Sequence, residues 1–361
     1  MESEEFRDSP LCPLFTLCSI YAGDAISSDD LSGEKAIPVY GSNGIRSYAD
    51  KANHLEDQVL VGRQGSVGTV HFAEAPFWAA EHALIVEPRT PRVSKSWLKY
   101  VLEAMDLSRL SRAVAQPGIN ATSVSFQRVP HIPFEQQKVI GDYLDRETAE
   151  IDAAVADLDK YVELLNVKLE SASREVFTEL SANHPLIQTK FLVDITTGSG
   201  DTQDSQENGG FPFYVRSDTI QRAEDFEFDC EAVLTSGDGA GVGKIFHLAG
   251  GKFKAHQRVY VMHNFKRVSP QYFYWMFKSA FPDAIRYGGA KSTVDSVRRP
   301  MIANLKIPVP DHDAQEKASK RIEKLHHEVS TLIAKSTKLR DLLLKRRSVL
   351  ITEVVTGRKQ V

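Results

Sequence analysis

Residues 59–70 read VLVGRQGSVGTV and residues 233–245 read VLTSGDGAGVGKI, the same phrase one residue longer, with Gly65 and Gly68 answered by Gly239 and Gly243. Outward from this pair the correspondence continues at a displacement of 174 to 178 residues. Leu17, Ile20 and Gly23 return as Leu192, Ile195 and Gly198; IPVYG, with Ile37, Pro38 and Tyr40, returns as FPFYV, with Phe211, Pro212 and Tyr214. An Ile-Pro pair closes each copy, at Ile132-Pro133 and Ile307-Pro308. An offset held over the length of a domain marks an internal repeat. Inside each copy, short aliphatic and β-branched runs such as DQVLVGRQG and ALIVEP are broken by Gly, Asn, Asp and Pro, and SWLKYVLEAM and PQYFYWMFKSAF have helical spacing. These predict α+β units whose glycines make turns where φ is positive.

The chain of 361 residues is long enough for two such units, each burying its own core. With 42% hydrophobic and 25% charged residues it reads as soluble and globular rather than disordered. No apolar run approaches a bilayer span, and the acidic start MESEEFRDS does not resemble a signal peptide, so the expected location is the cytoplasm, with no membrane partner. Cys12, Cys18 and Cys230 form no CxxC pair or zinc-type cluster and read as reduced core thiols; no metal site is expected. The net charge of -4 conceals strong segregation: -4 over 1–134, -7 over 135–184, +1 over 185–312 and +6 over 313–361. Residues 240–310 carry 12 basic and 2 acidic residues, the electrostatic footprint expected of a surface that meets a phosphate backbone.

Each copy is followed by a long helical stretch. After Pro133 apolar positions recur alternately four and three apart at Leu144, Thr148, Ile151, Val155, Leu158, Val162, Leu165, Leu169, Ala172 and Val176. After Pro310 the corresponding series is Ile322, Leu325, Val329, Leu332, Ser336, Leu339, Leu343, Arg346 and Leu350. A period of about 3.5 sustained over several heptads is the signature of a coiled coil, with Thr148, Ser336 and Arg346 as polar interruptions that fix register. The first helix leads from copy one to copy two and the second leads away from copy two, so a pair must be antiparallel. The opposite net charges of the two helices favour that pairing. The chain therefore divides into a first unit (1–134), a first helix (135–184), a second unit (185–312) and a second helix (313–361).

Two α+β units, each closed by Ile-Pro and followed by a heptad helix, the first beginning EQQKVIGDYLDRETAEID and the second ending LLLKRRSVLITEVVTG, resemble the specificity subunits of type I restriction-modification systems. IPVYGSNGI at 37–45 and NGGFPFYVRSDTI at 208–220 add to a likeness that covers nearly the whole chain. The resemblance implies two target-recognition domains related by a pseudo-two-fold axis and separated by an antiparallel coiled coil, the central and distal conserved regions. It implies binding of double-stranded DNA at a bipartite asymmetric site, docking of two methyltransferase subunits, and motor and nuclease subunits that join for restriction. No catalytic residue and no cofactor belong to such a subunit; S-adenosylmethionine, ATP and magnesium are expected in its partners. One departure is the second helix, which opens DAQEKASKRIEKLHHEV rather than with an EQQ sequence.

In that setting, base edges in the major groove are told apart by forked donors and acceptors carried on loops, while most loop arginines hold phosphate. The candidates are Ser42, Asn43, Arg46, Tyr48, Arg63, Gln64 and Asn120 in unit one. In unit two they are Arg216, Ser217, Gln221, Arg222, Lys244, Gln257, Arg258 and Lys291. The alternative, a stand-alone DNA-modifying or DNA-cleaving enzyme, finds little support. There is no NPPF- or DPPY-like loop; GDGAGVGKI misses a Walker A loop because Asp238 replaces its first glycine and Ile245 its hydroxyl residue. RQGSVG has Gln64 where a nucleophile elbow needs glycine. His326 and His327 read as solvated residues on a polar helix face.

Overall fold

The computed structural model describes residues 10–31, 37–111, 118–287 and 296–361. The chain forms two compact units, one built from residues up to Asp159 together with Thr337–Val361, the other from Lys160–Ser336. The first contains β1 (Leu11–Pro13), β2 (Cys18–Ala22), β3 (Ile37–Gly41), β4 (Gly44–Ala49), β5 (Gln58–Gly62), β6 (Val70–Ala73), β7 (Trp78–Ala79), β8 (Ala83–Pro88), α1 (Lys95–Ala104), α2 (Ala121–Ser125) and β9 (Arg128–Pro130), and leads into α3 (Phe134–Asn183). Its sheets run β2-β8-β5-β6, β4-β3-β7 and β1-β9. β5 is buried along its whole length because both its faces are covered. By the two-residue period of a strand, Val59 and Val61 enter the core with Trp97, Tyr100 and Val101, while Leu60 faces Phe77 and Ile85.

The second unit contains β10 (Leu186–Gln188), β11 (Asp194–Thr197), β12 (Phe211–Tyr214), β13 (Gln221–Ala223), β14 (Phe228–Asp229), β15 (Ala232–Ser236), β16 (Phe246–Ala249), β17 (Lys252–Ala255), β18 (Val259–His263), α4 (Pro270–Tyr287), α5 (Arg299–Ala303) and β19 (Lys306–Pro308), followed by α6 (His312–Val355). Its sheets run β11-β18-β15-β16, β13-β12-β17-β14 and β10-β19. Strand for strand this is the first unit again, with β14 added at one edge. The repeated glycines have repeated reasons. A Cβ on Gly23 would collide with the carbonyl of Ala79, and one on Gly198 with the carbonyl of Ala255. Gly65, Gly68, Gly239 and Gly243 sit at φ of 77, 80, 75 and 69°, the left-handed region that disfavours a side chain.

One buried glutamine joins each unit to the helix that follows it. Gln137 accepts a hydrogen bond from Ser94 N at 2.9 Å and donates to Ile132 O at 3.0 Å. Gln315 accepts from Ser269 N at 3.0 Å and donates to Arg267 O and Pro310 O. The opening of α6, which departs from the EQQ pattern, thus keeps the one glutamine that the junction uses. Further along, Ser96 donates to Asp145 in the first unit and Gln271 to Glu323 in the second. Thr148, a polar interruption in the seam, lies 2.8 Å from the hydroxyl of Tyr100. Its equivalent is His326, which is not solvated but packs half-buried on Trp275, ring centroids 5.2 Å apart; burial lowers its pKa.

Within each unit a segment of α3 runs antiparallel to a segment of α6. The ion pairs Arg347–Asp152 (2.9 Å) and Arg340–Asp159 (2.8 Å) mark this in the first, and Arg321–Glu179 (3.0 Å) in the second. In every pair α6 supplies the cation and α3 the anion, as their net charges lead one to expect. On α3 the expected seam faces inward throughout: Leu144, Thr148, Ile151, Leu165 and Val176 are buried and Val155, Leu158, Val162, Leu169 and Ala172 half-buried. On α6, Ile322, Val329 and Ser336 are buried and Leu325, Leu343 and Leu350 half-buried, but Leu332 and Leu339 are 40% and 48% exposed. The inward residues are instead their successors, Ile333 and Arg340, and likewise Arg347 in place of exposed Arg346. The seam selects the arginines because Asp152 and Asp159, one heptad apart on α3, lie opposite them. Among the described residues no helix is long and apolar enough to cross a membrane. Cys18 is buried, which pushes its thiol up to about 12, whereas Cys12, in the two-stranded β1-β9 sheet, and Cys230, in the bend after β14, are only half-buried.

Candidate nucleic-acid interface

In the first unit three loops meet: the turn after β3, the turn after β5, and the link from β7 to β8. Ser42 Oγ donates to His82 O at 2.8 Å and accepts from Gln64 N at 3.4 Å. Arg63 N donates to His82 O at 2.8 Å, and its Nη1 to Glu81 O at 3.4 Å. The carboxylate of Glu81 lies 3.8 Å from Arg46 Nη2 and 3.4 Å from the His82 ring. A side chain on Gly62 would strike the carbonyls of Ser66 and Ser42, so the glycine lets the loops close on one another. Ser42, Arg46, Arg63 and Gln64 are therefore one cluster, with exposed Asn43 at the adjoining turn. Tyr48 lies further along β4, opposite Pro38. Asn120 is a helix cap: its Oδ1 accepts from Ser123 N at 2.7 Å, which commits that oxygen to the fold.

In the second unit the equivalent loops bring together Arg216, Asp238 and Arg258. Arg216 Nη1 donates to Asp238 Oδ1 at 2.8 Å and Arg258 Nη1 to Asp238 Oδ2 at 2.7 Å. Burial raises the pKa of Asp238, but the hydrogen bonds from the two guanidiniums outweigh it and hold the carboxyl below its usual range. His256, 4% exposed, accepts from Arg258 N through Nδ1 at 3.1 Å, which leaves Nε2 to carry the proton. Burial and then the charge of Arg216 lower its pKa, so the ring is neutral at pH 7. A hollow of about 410 Å³ is lined by Thr202, Arg216, Ser217, Gln221, Asp238 and His256.

Other candidates stand apart. Arg222 donates to the carbonyls of Gly209 and Gly210 at 2.9 and 3.0 Å and so braces a turn. Exposed Lys244 lines a different cavity, with Asn166, Arg174, Lys278 and His326. Gln257 is exposed beside Arg258, and its backbone N donates to Gly200 O at 2.8 Å. Lys291 lies outside the described residues. The residues that sequence reasoning passed over are the acids Glu81 and Asp238 and the buried His256. A search for donors to bases and phosphates discards carboxylates, and only the loop correspondence singles out Asp238, which takes the place of Gln64.

The two clusters share one backbone. Ala80 N donates to Tyr40 O as His256 N does to Tyr214 O, both at 2.9 Å; Arg63 N donates to His82 O as Gly237 N does to Arg258 O, both at 2.8 Å. Ile119 N donates to Arg63 O at 3.0 Å and Val297 N to Gly237 O at 2.8 Å. On this common frame the side chains differ at five equivalent positions: Ser42 against Arg216, Arg63 against Gly237, Gln64 against Asp238, Glu81 against Gln257, and His82 against Arg258. Two copies of one scaffold thus present two unlike sets of donors and acceptors.

Comparison with known proteins agrees with this picture. The chain is 32% identical over 130 residues to the type I restriction enzyme EcoprrI specificity subunit of Escherichia coli, covering 35% of this chain and 32% of that one. It is 24% identical over 166 residues to the EcoDI specificity subunit of the same organism, covering 46% and 36%. The aligned part thus spans about a third of each of these curated relatives. A chain in a solved structure titled for the complex assembly and conformational transition of the type I R-M system has the same fold, with a TM-score of 0.70 over 96% of this chain and 97% of that one at 12% identity. The family model described as the type I restriction modification DNA specificity domain matches residues 14–156 and again 190–339, once on each copy of the repeat, and to that family the chain belongs.

Proposed function

We propose that this chain is the DNA-reading subunit of a type I restriction-modification complex, which reads a bipartite asymmetric site in double-stranded DNA and directs adenine methylation or cleavage by partner subunits while catalysing neither. The observation that carries this reading is the pair of loop clusters with matching backbone hydrogen bonds and unlike side chains, as a protein with two different half-sites requires. In this reading residues 1–134 and 185–312 are the recognition domains and 135–184 and 313–361 the helices that space them. Half-site centres about one helical turn, roughly 10 bp, apart would place both on one face of the duplex.

The outer faces of the helices support docking of two methyltransferase subunits. In the first unit Leu339, Leu342 and Val349 are 48%, 54% and 46% exposed on α6; in the second, Tyr161, Leu164 and Val167 are 43%, 57% and 58% exposed on α3. Apolar stripes turned outward from helices already paired on their inner faces mark protein contact surfaces. S-adenosylmethionine, ATP and magnesium would act in the methyltransferase, motor and nuclease subunits, and the assembly would work in the cytoplasm. Mapping adenine methylation in the host with and without this gene tests the reading. A two-part motif with an unread gap, lost on deletion, is expected. Unchanged methylation, or methylation or cleavage of DNA by the purified chain alone with S-adenosylmethionine or magnesium, would overturn it.

A further inference from the structure

We propose that Asp238 is a positioning residue for sequence reading: it ties Arg216 and Arg258 into one fixed pair of donors and withholds them from indiscriminate phosphate binding. The inference rests on the DNA-reading role proposed above. Each oxygen of this one carboxylate takes a different guanidinium, and each guanidinium spends only Nη1 on the contact, at 2.8 and 2.7 Å. A lone surface ion pair holds little, because two long side chains lose entropy in high dielectric. Here one short side chain, 24% exposed against 40% and 56% for the arginines, restrains both, and it stands on an anchored loop.

The anchoring is in the backbone. Asp238 forms a bridge with Ser296, and its carbonyl accepts from Ser236 Oγ at 2.9 Å. Gly237 donates to Arg258 O and accepts from Val297 N, each at 2.8 Å, and Gly239 follows at φ 75°. The carboxylate therefore stands on a loop stitched to its neighbours on both sides, while Arg216 and Arg258 come from two other loops. Arg216 and Asp238 share the wall of the hollow with Gln221, whose buried Oε1 has no hydrogen-bond partner among the described residues. Donors held at a fixed spacing suit the edge of a base in the major groove, whose acceptors stand in fixed places, better than a phosphate, which any cation within reach can satisfy.

Charge makes the second half of the case. Two guanidiniums and one carboxylate sum to one positive charge, so the acid halves the attraction of this site for any phosphate backbone. Unit one places its acid differently: Glu81 sits on the loop that in unit two carries Gln257 and Arg258, and Arg63 and Arg46 lie beside it. The same balance of acid and base is reached on the same frame from the opposite loop.

Asp238→Asn keeps the shape of the side chain and removes its charge. Introduced into the chain of the complete system in its host, it should flatten base preference at one half-site by about 5- to 150-fold, the range of a lost forked contact, and leave the other half-site unchanged. The purified full-length variant, titrated with a 30-bp duplex that lacks the methylated motif between about 50 and 200 mM salt, should bind more tightly. Its slope of log K against log salt should be steeper by about 1. Asp238→Glu, which keeps the charge, should restore most of the preference and the wild-type slope; a merely structural role would move the melting temperature and not the slope. Wild-type preference at both half-sites in Asp238→Asn, or equal loss at both, overturns the inference. Should that variant not fold, Arg258→Gln must flatten the same half-site, and its failure to do so overturns the inference equally. If deleting the gene leaves host methylation unchanged, the DNA-reading role itself has failed and takes this inference with it.

Discussion

At the scale of single residues, the loop clusters distinguish side chains that the sequence presents as equals. Arg216, Arg222 and Lys244 are all cations near turns of the second copy, yet Arg216 joins Arg258 at Asp238, Arg222 braces the carbonyls of Gly209 and Gly210, and Lys244 lines a separate cavity beside α3. Arg216→Gln should therefore relax one half-site by ~1 to 3 kcal/mol of discrimination, whereas Lys244→Gln should leave the sequence read unaltered. Arg63→Gln should relax the other half-site alone. Sequencing of methylated adenines in cells carrying each variant checks all three, and a variant that disturbed both halves would contradict the modular frame. How much was legible beforehand follows from the same residues. Turn glycines and the loops on which Ser42, Arg63, Gln64, Arg216 and Arg258 stand could be found by aligning the chain with itself. What each side chain does could not, because Arg222 and Arg216 differ only in which carbonyl or carboxylate the fold happens to bring within reach.

At the scale of elements, the heptad register of α6 shows where pattern reading stops. Leu332, Leu339 and Arg346 keep a spacing of three and four with their neighbours as well as Ile333, Arg340 and Arg347 do, and apolarity favours the leucines. The acids of α3 decide for the second set, and Arg347 lies between Glu103 and Asp152 at 2.9 Å from each, 21% exposed against 17% for Glu103. Burial opposes its charge, but Glu103 and then Asp152 more than offset this and its pKa is raised. Arg347→Ala would leave Glu103 partly buried without its partner, and should lower stability by about 2 kcal/mol, while Arg346→Ala on the exposed face should change it by less than about 0.5 kcal/mol. The helix junctions give a matching test. Gln137 and Gln315 are 4% and 3% exposed; Gln137→Ala strands a backbone N–H and a carbonyl, Gln315→Ala a backbone N–H and two carbonyls, and each should cost ~1 to 3 kcal/mol. Urea unfolding of the four variants measures these effects, and an Arg346 variant weaker than the Arg347 variant would mean that the leucine register is the true one.

At the scale of the whole molecule, each compact unit draws on segments of both α3 and α6. Ile351, Val354 and Val355, 2%, 1% and 3% exposed, lie in the core that contains Trp97, Leu98 and Leu144; Val176, 4% exposed, lies in the core that contains Phe273, Phe277 and Ile322. A chain cut after Asn183 thus yields halves of which neither owns a whole core. The first lacks the end of α6 and the second lacks α3 altogether. We expect the halves, expressed together, to reassemble and to prefer the mixed pair. Only the mixed pair returns Ile351, Val354 and Val355 to the first core and Val176 to the second, and charge adds to the choice: a self-pair of the first half sets two helices of net -7 together and one of the second half two of +6. The mixed pair recovers Arg347–Asp152, Arg340–Asp159 and Arg321–Glu179. Raising salt to about 1 M, where the Debye length is about 3 Å, should shrink the preference for the mixed pair while leaving association itself in place, because the apolar contacts persist. Two affinity tags, one on each half, report both quantities at low and high salt. Equal recovery of self-paired and mixed species at low salt would show that the acidic face of α3 and the basic face of α6 do not select one another.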